Sequence, residues 1–183
     1  LKTLVEEYRE PLRTGTKALS VFGTSVLVQP INTLGALASY NARTEVFPID
    51  KARAISGEEM KAHYHDRDTT CLKCPVACGK QYEIKESEIG SFKAKMPEYE
   101  TIFAFGSMLG IAHAPSIAKA NDLCDLLGMD TISLGVTLAF VAEALERGWL
   151  DPAEVGVPFG WGDWRGMLRL VELTATRQGF GDR

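Results

Sequence analysis

Apolar residues in the second half of the chain recur with the spacing of amphipathic helices. In the segment PSIAKANDLCDLLG, residues 115–128, one helix face would collect Ile117, Ala120, Cys124 and Leu127. In residues 130–148 the corresponding stripe consists of Leu134, Leu138, Val141 and Leu145. Gly128 is a typical helix stop. We therefore predict two helices joined by the short segment GMD.

The beginning of the chain predicts shorter elements. Residues 1–12 have helical composition, and we expect Pro11 to end or kink that helix. The following residues alternate apolar runs with glycine and proline, which favours short helices and loops. The segment SVLVQPI, residues 25–31, could form a strand, but Pro30 would restrict it to a sheet edge.

The remaining segments complete a mostly helical pattern. Residues 50–68 predict two helical pieces that lead directly into a cysteine-rich motif. Residues 80–96 are polar and partly alternating, which favours a small hairpin. A last helix is expected over residues 164–178. We therefore predict a mostly α, irregular multi-helix domain over residues 1–183 with at most a small β element.

Composition and charge exclude several classes of function. The chain is 45% apolar and 24% charged, as is typical of globular proteins, and its net charge is −4 with dispersed Lys and Arg. This balance does not support nucleic-acid binding. No apolar run of about 18 residues and no signal-peptide pattern occurs, so we expect no membrane span and a cytoplasmic setting. The chain lacks an initiator Met and stops after a helical run, so we expect a segment of a longer, multidomain protein.

Three of the four cysteines lie within eight residues, in the motif CLKCPVACGK. Cys71, Cys74 and Cys78 have the spacing C-x2-C-x3-C, which can direct three thiolates toward one centre. In a reducing compartment such a motif favours metal binding over disulfides. We predict a [4Fe-4S] cluster. Zinc remains an alternative, because His63 or His65 could complete a Cys3His site.

A cubane cluster requires a fourth ligand. Cys124 is the only other thiol, but it lies on the apolar stripe of its predicted helix, where a free cysteine behaves as a small hydrophobic residue. We therefore expect the fourth ligand outside this chain.

Two aspartates flank the joint between the two predicted helices. Asp130 immediately precedes a helix and suits an N-cap. Asp125 lies in the last turn of the preceding helix, where the macrodipole disfavours an anion. The pair could accept hydrogen bonds from a ligand rich in N–H donors. A solvated Asp125 is an equally open alternative.

The segments PEYET and GIAHAP supply further polar candidates. Glu98 and Glu100 lie two residues apart, and a solvated acidic patch is their simplest explanation. His113 stands among small residues near a helix start, from which its ring could reach a pocket or serve a structural role. His113 is therefore one catalytic candidate.

In this order, the motifs CLKCPVACGK, MPEYETIFAFGSMLGI and NDLCDLLGMDTISLG resemble the aldehyde ferredoxin oxidoreductase family of tungsten bis-pterin enzymes. The last motif is similar to the family's D-x-x-G-L-D-T-I-S segment, with Met129 in place of Leu. The resemblance covers most of the chain from about Val26 onward. It implies that the chain is the middle helical domain, with a cofactor-binding domain before it and the fourth cluster cysteine after it.

The resemblance also assigns roles to residues. It implies that Cys71, Cys74 and Cys78 bind the [4Fe-4S] cluster. It implies that Asp125, Met129 and Asp130 bind the pterin of the tungsten cofactor. The family's active-site glutamate falls on PEYET, which we assign to Glu100, with Glu98 as the lesser candidate. Some members of the family carry an E-x-x-H pair that binds a metal at a dimer interface, and its absence from this sequence puts that metal site in doubt here.

The implied function is oxidation of a small aldehyde to a carboxylic acid, with electrons leaving through the [4Fe-4S] cluster to ferredoxin or a partner subunit. The cofactor would be a tungsten or molybdenum bis-pterin, and we expect an oligomer. One alternative is the tungsten subunit of a benzoyl-CoA reductase. An alternative from another class is a zinc-stabilised helical interaction module without catalysis.

Overall fold

Helices dominate residues 2–183, which a computed structural model of the protein describes. The α-helices are α1 (Lys2–Gly15), α2 (Lys17–Phe22), α3 (Val28–Thr33), α4 (Ile49–Ala54), α5 (Gly57–Tyr64), α6 (Tyr99–Phe105), α7 (Ala114–Leu127), α8 (Thr131–Glu146), α9 (Pro152–Val155) and α10 (Trp164–Thr176). The strands are β1 (His65–Thr69), β2 (Gly79–Glu86) and β3 (Gly90–Lys95). The predicted mostly α fold with a small β element is confirmed.

Local signals set the joint between α7 and α8. Gly128 adopts a left-handed conformation with φ 72°, and its N–H donates to the carbonyl of Cys124, as does the N–H of Met129. One residue later, the carboxylate of Asp130 accepts the N–H of Ser133 and caps α8. Both predicted helices are therefore confirmed, together with the ends that the sequence indicated.

The main core lies where α6, α7, α8 and α10 meet. Phe105, Ile117, Leu138 and Leu170 are among its buried side chains. Helices α6 and α8 approach backbone to backbone, because a Cβ atom added to Gly135 would lie 2.7 Å from the Cβ of Ala104. This close approach brings the first turns of the two helices to one side of the molecule.

The three strands form an antiparallel sheet in the order β1-β2-β3. A tight turn at residues 87–89 joins β2 and β3, which confirms the predicted hairpin. Tyr82 and Ile84 of β2 face inward and are fully buried. The connection between β1 and β2, residues 70–78, carries three of the cysteines, and we call it the cysteine loop.

Two sequence predictions were wrong in detail. Residues 25–31 are helical, in a 3-10 turn at Thr24–Leu27 followed by α3, so they do not form a strand. Pro30 lies in the first turn of α3, where backbone N–H groups have no partner within the helix, so its missing N–H removes no helical hydrogen bond. Strand β1 lies between α5 and the cysteines, which therefore do not follow a helix directly.

Helix α1 continues past Pro11 to Gly15, so this proline does not end it. Among residues 2–183, no helix combines the length and the apolar character that crossing a membrane requires.

Candidate functional site

The cysteine loop is closed at its base by the sheet. Thr69 and Gly79 are paired across β1 and β2, so the loop begins and ends at neighbouring positions. Inside it, the N–H of Cys74 donates to the carbonyl of Cys71 over 3.0 Å. The hydroxyl of Thr70 donates to the carbonyls of both cysteines, at 3.2 and 3.0 Å. These bonds fix the backbone around the first two thiols.

Left-handed backbone precedes the second and third cysteines. Lys73 has φ 60° and Ala77 has φ 52°, a region that residues with a Cβ atom seldom adopt. Each such residue costs on the order of 1–2 kcal/mol. The two turns reverse the chain immediately before Cys74 and Cys78, and this keeps all three thiols within one short surface loop.

All the candidate metal donors of the loop are thiols. Cys71 is exposed, and Cys74 and Cys78 are half-buried. In residues 2–183, no three Cys, His, Asp or Glu side chains are gathered tightly enough to share one metal ion. Thiolates bind both iron–sulfur clusters and zinc, so this donor set fits the predicted [4Fe-4S] cluster and the zinc alternative alike.

The two histidines that could complete a zinc site each have one ring nitrogen in a hydrogen bond. Nδ1 of His63 lies 2.9 Å from the carbonyl oxygen of Glu59 in its own helix. Nε2 of His65 lies 2.9 Å from the carboxylate of Asp68, within strand β1. Within residues 2–183 the second ring nitrogen of each histidine is free to bind a metal, as in metal-ligating histidines whose other nitrogen is hydrogen-bonded, so the zinc alternative stays open.

Cys124 is a core residue, in agreement with the helical pattern. Its side chain is fully buried in α7. Burial, followed by the nearby charges of Asp125 and Asp130, raises the pKa of the Cys124 thiol to about 11. Because metals bind the thiolate, this environment disfavours a ligand role.

Residues 125–130, which we call the carboxylate turn, carry the predicted pterin ligands. The carboxylates of Asp125 and Asp130 are exposed, and both lie close enough to Cys124 to raise its pKa. Asp125 receives one long hydrogen bond, 3.5 Å from Asn121, which leaves it acceptor capacity for a ligand. Met129 between them is half-buried against the core.

Asp130 combines capping with acceptor capacity. Its Oδ2 atom accepts the N–H of Ser133 over 2.6 Å. Hydrogen bonds from the side chain and backbone of Ser133 hold the pKa of Asp130 below its ordinary value. The turn therefore presents two carboxylates to N–H donors, which fits a pterin ring edge.

The structure distinguishes the two glutamates of PEYET. Glu98 accepts the hydroxyl hydrogen of Thr24 over 2.5 Å and lies 3.8 Å from the ammonium of Lys95. Glu100 is exposed in the first turn of α6, and no hydrogen bond or ion pair within residues 2–183 engages its carboxylate. Glu100 is therefore the glutamate available to a ligand or substrate.

Glu100 and Asp130 each precede a threonine, and the two threonines contact each other. The hydroxyls of Thr101 and Thr131 are 2.8 Å apart, and these residues directly follow Glu100 and Asp130. The sequence analysis singled out neither threonine, since nothing local distinguishes them from other polar residues at helix starts.

His113 lies apart from this arrangement. Its Nε2 atom is 3.2 Å from the carboxylate of Glu86 in β2, and its ring stacks on Trp164 of α10 with centroids 4.7 Å apart. Among residues 2–183, no hydrogen bond or ring contact joins it to Glu100. These contacts give His113 a structural role between the sheet and α10, and its catalytic role stays a prediction.

Comparison with known sequences relates this chain to one protein family. Residues 3–183 match the family profile described as aldehyde ferredoxin oxidoreductase, domains 2 and 3. A tungsten-containing aldehyde ferredoxin oxidoreductase of Pyrococcus furiosus is 41% identical over 167 residues, which cover 90% of this chain and 27% of the relative. Its Pyrococcus horikoshii counterpart is 39% identical over 186 residues, which cover 98% of this chain and 30% of the relative.

A more distant relative has a different name. The WOR-like subunit of an aliphatic sulfonate oxidoreductase from Pyrococcus furiosus is 34% identical over 111 residues, or 59% of this chain and 17% of the relative. The chain thus spans less than a third of the length of the relatives it matches. Because the family profile matches nearly the whole chain, the protein belongs to the aldehyde ferredoxin oxidoreductase family.

Proposed function

We propose that this chain is the cluster-binding and pterin-contacting segment of a tungsten-dependent oxidoreductase that converts aldehydes to carboxylic acids. The observation that carries the proposal is the cysteine loop, with three thiols between paired strands, in a chain of this family. Electrons would leave to ferredoxin, which the names of the relatives include. The proposed setting is the cytoplasm, where thiols stay reduced.

Cys71, Cys74 and Cys78 would hold three irons of a [4Fe-4S] cluster, with the fourth thiolate from sequence outside this chain. The loop closes on a hydrogen-bonded strand pair, so its thiols are confined to a small volume before any iron binds. Such confinement reduces the conformational entropy that cluster binding would cost. Cys124 would remain in the core.

Asp125, Met129 and Asp130 would hold one edge of the pterin. The two carboxylates would accept its amino and ring N–H groups, and half-buried Met129 would supply an apolar contact beside them. A ligand with N–H donors would also offset the anion that Asp125 places at the C-terminal end of α7.

Glu100 would serve as the proton acceptor. Oxidation of an aldehyde by water releases two electrons and three protons when the product is a carboxylate. When bound, the tungsten cofactor supplies the two-electron chemistry and the cluster passes the electrons on singly. Glu100 stands in the first turn of α6, which a hydrogen bond joins to the first turn of α8, and no side chain of residues 2–183 binds its carboxylate. It can therefore hold or move a proton near the bound cofactor.

The first experiment is elemental analysis of the full-length protein purified without oxygen. We expect tungsten or molybdenum, about four irons per chain and a brown colour. Reduction of a viologen dye by small aldehydes would then test the reaction itself. A metal-loaded protein that reduces benzoyl-CoA and does not oxidise aldehydes would favour the alternative function, the tungsten subunit of a benzoyl-CoA reductase.

Zinc without iron or tungsten would overturn the proposal. That result would instead make the three cysteines a structural staple in an interaction module. Iron with neither tungsten nor molybdenum would leave the cluster assignment intact and contradict the pterin assignment, so the two parts can fail separately.

A further inference from the structure

Lys80 is a lysine whose side chain is fully buried, although it lies only two residues after Cys78. Its Nζ atom donates to three backbone carbonyls, those of Ser20 at 2.8 Å, Ala77 at 3.0 Å and Gly79 at 3.2 Å. It also lies 3.3 Å from Oδ1 of Asp68. A buried ammonium is costly unless such partners surround it, so these contacts are tightly specified.

The acceptors of Lys80 flank the third cysteine. The carbonyls of Ala77 and Gly79 lie directly before and after Cys78 in the chain. Ala77 is also one of the left-handed residues, with φ 52°, a conformation that persists only when its surroundings hold it. The ammonium thus binds the strained turn on both sides of the cysteine.

The third acceptor joins the loop to the rest of the fold. Ser20 belongs to α2, sixty residues earlier in the chain. Just after α2, a Cβ atom added to Gly23 would lie 3.0 Å from the carbonyl oxygen of Cys78, so the loop lies directly against the end of this helix. Lys80 therefore holds the Cys78 end of the loop against α2, and within residues 2–183 no side chain from outside the loop binds the backbone of Cys71.

We infer that Lys80 is a positioning residue that keeps Cys78 in a ligand-ready conformation before the cluster binds. The inference rests on the proposed cluster site. Its structural part, the restraint on Cys78, can be measured without any iron.

The test compares thiol reactivity in the full-length protein after iron has been removed under reducing conditions. The rates at which iodoacetamide labels Cys71, Cys78 and Cys124 are read by mass spectrometry of the labelled peptides. For Lys80→Met we expect Cys78 to react about 10-fold faster, while exposed Cys71 keeps its rate. Cys124 reports folding, since it stays unlabelled as long as the core is intact.

The matched control is Lys73→Met, which removes an exposed lysine of the same loop. It should change the labelling rate of neither Cys71 nor Cys78. A second readout is iron retention in the protein purified without oxygen, together with the electron paramagnetic resonance signal of the reduced cluster. Lys80→Met should lose iron during dilution and Lys73→Met should not. Equal Cys78 labelling and equal iron retention in a folded Lys80→Met protein would overturn the inference.

If Cys124 becomes labelled in Lys80→Met, the variant has unfolded and Asp68→Asn decides the question. It removes the carboxylate that balances the charge of the buried ammonium, which destabilises Lys80 in its contacts with the three carbonyls, so we expect about 3-fold faster labelling of Cys78. His65→Gln, which removes the other partner of Asp68, is its control. Labelling of Cys78 at the wild-type rate in Asp68→Asn would overturn the inference.

The outcome for the enzyme proposal is separate. A wild-type protein that never contains iron would contradict the cluster, whatever the labelling rates of Cys78 show.

Discussion

Thr101 and Thr131 join the first turns of α6 and α8 through a hydrogen bond 2.8 Å long between their hydroxyls. Thr101 is buried and Thr131 is half-buried, so the contact is largely shielded from water. Thr101 directly follows Glu100 in α6, and Thr131 directly follows Asp130, the N-cap of α8. The bond therefore holds the start of α6, which carries the proposed proton acceptor, against the start of α8, which a proposed pterin ligand caps.

Gly135→Ala should destabilise the protein through the same pair of helices. The added methyl group would lie 2.7–2.9 Å from the Cβ, carbonyl carbon and carbonyl oxygen of Ala104, so α6 and α8 must move apart. We expect overpacking to cost about 1–3 kcal/mol, against a gain of up to about 1 kcal/mol from helix propensity. Urea unfolding measures the net change.

Gly160→Ala is the matched control. A Cβ atom at this position meets no atom within 4 Å, and Gly160 has no positive φ. Its free energy of unfolding should not fall. A Gly135→Ala protein as stable as Gly160→Ala would contradict the close approach of α6 and α8.

The four cysteines should separate into two reactivity classes in the iron-free protein. Raising the pKa of Cys124 to about 11 from an ordinary value near 9 lowers its thiolate fraction about 100-fold at pH 8. Alkylation at pH 8 should therefore label Cys71, Cys74 and Cys78 and spare Cys124. Labelling of all four thiols at similar rates would show that Cys124 is not in the core.

The same thiol makes stability depend on pH. Its pKa is higher in the folded chain, so the folded state binds the proton more tightly and this stabilisation is complete below pH 9. It is lost as the pH rises from about 9 to about 11, and it amounts to about 3 kcal/mol. Cys124→Ala should remove this slope, which urea unfolding at pH 8 and pH 10.5 would reveal.

Substitutions in the carboxylate turn should separate stability from cofactor binding. Asp125→Asn removes an anion from the C-terminal turn of α7 and should leave the free energy of unfolding unchanged or slightly higher. Asp130→Ala removes the N-cap of α8 and should cost about 1 kcal/mol. Both should reduce pterin content in the full-length protein. Normal pterin content in Asp125→Asn would contradict its assignment.

Substitutions of Glu100 and of Glu98 should have opposite effects on stability and on activity. Glu100→Gln keeps the shape of an exposed side chain, so we expect a stability within about 0.5 kcal/mol of wild type. As the proton acceptor it should lower kcat with aldehydes by about 100-fold or more. Glu98→Ala loses the bond from Thr24, so it should cost about 1 kcal/mol and largely keep kcat. The reverse pattern would transfer the catalytic role to Glu98.

Sequence patterns predicted the parts of this fold that local chemistry decides. The end of α7 at Gly128 and the start of α8 at Asp130 depend on residues within one helical turn, so they were predictable. Strand β1 was not, because its residues HDRDT are polar and mostly exposed and form a strand only by pairing with β2.

The site shows the same division between local and distant contacts. The cysteine spacing was visible in the sequence. The burial of Lys80 was not, because it depends on the carbonyl of Ser20, sixty residues away. Nor was the contact between the first turns of α6 and α8, because it depends on how these two helices pack.

The cysteine loop lies at the edge of the fold, and this position determines what happens to the protein when its cluster is lost. The apolar core includes Tyr82 and Met96 near the loop, but none of Cys71, Cys74 and Cys78. In small zinc domains the metal replaces a core, so the chain unfolds when the metal leaves. Here we expect damage by oxygen to strip the iron and spare the scaffold. A cell could then repair the protein by reinserting a cluster, without synthesising a new chain.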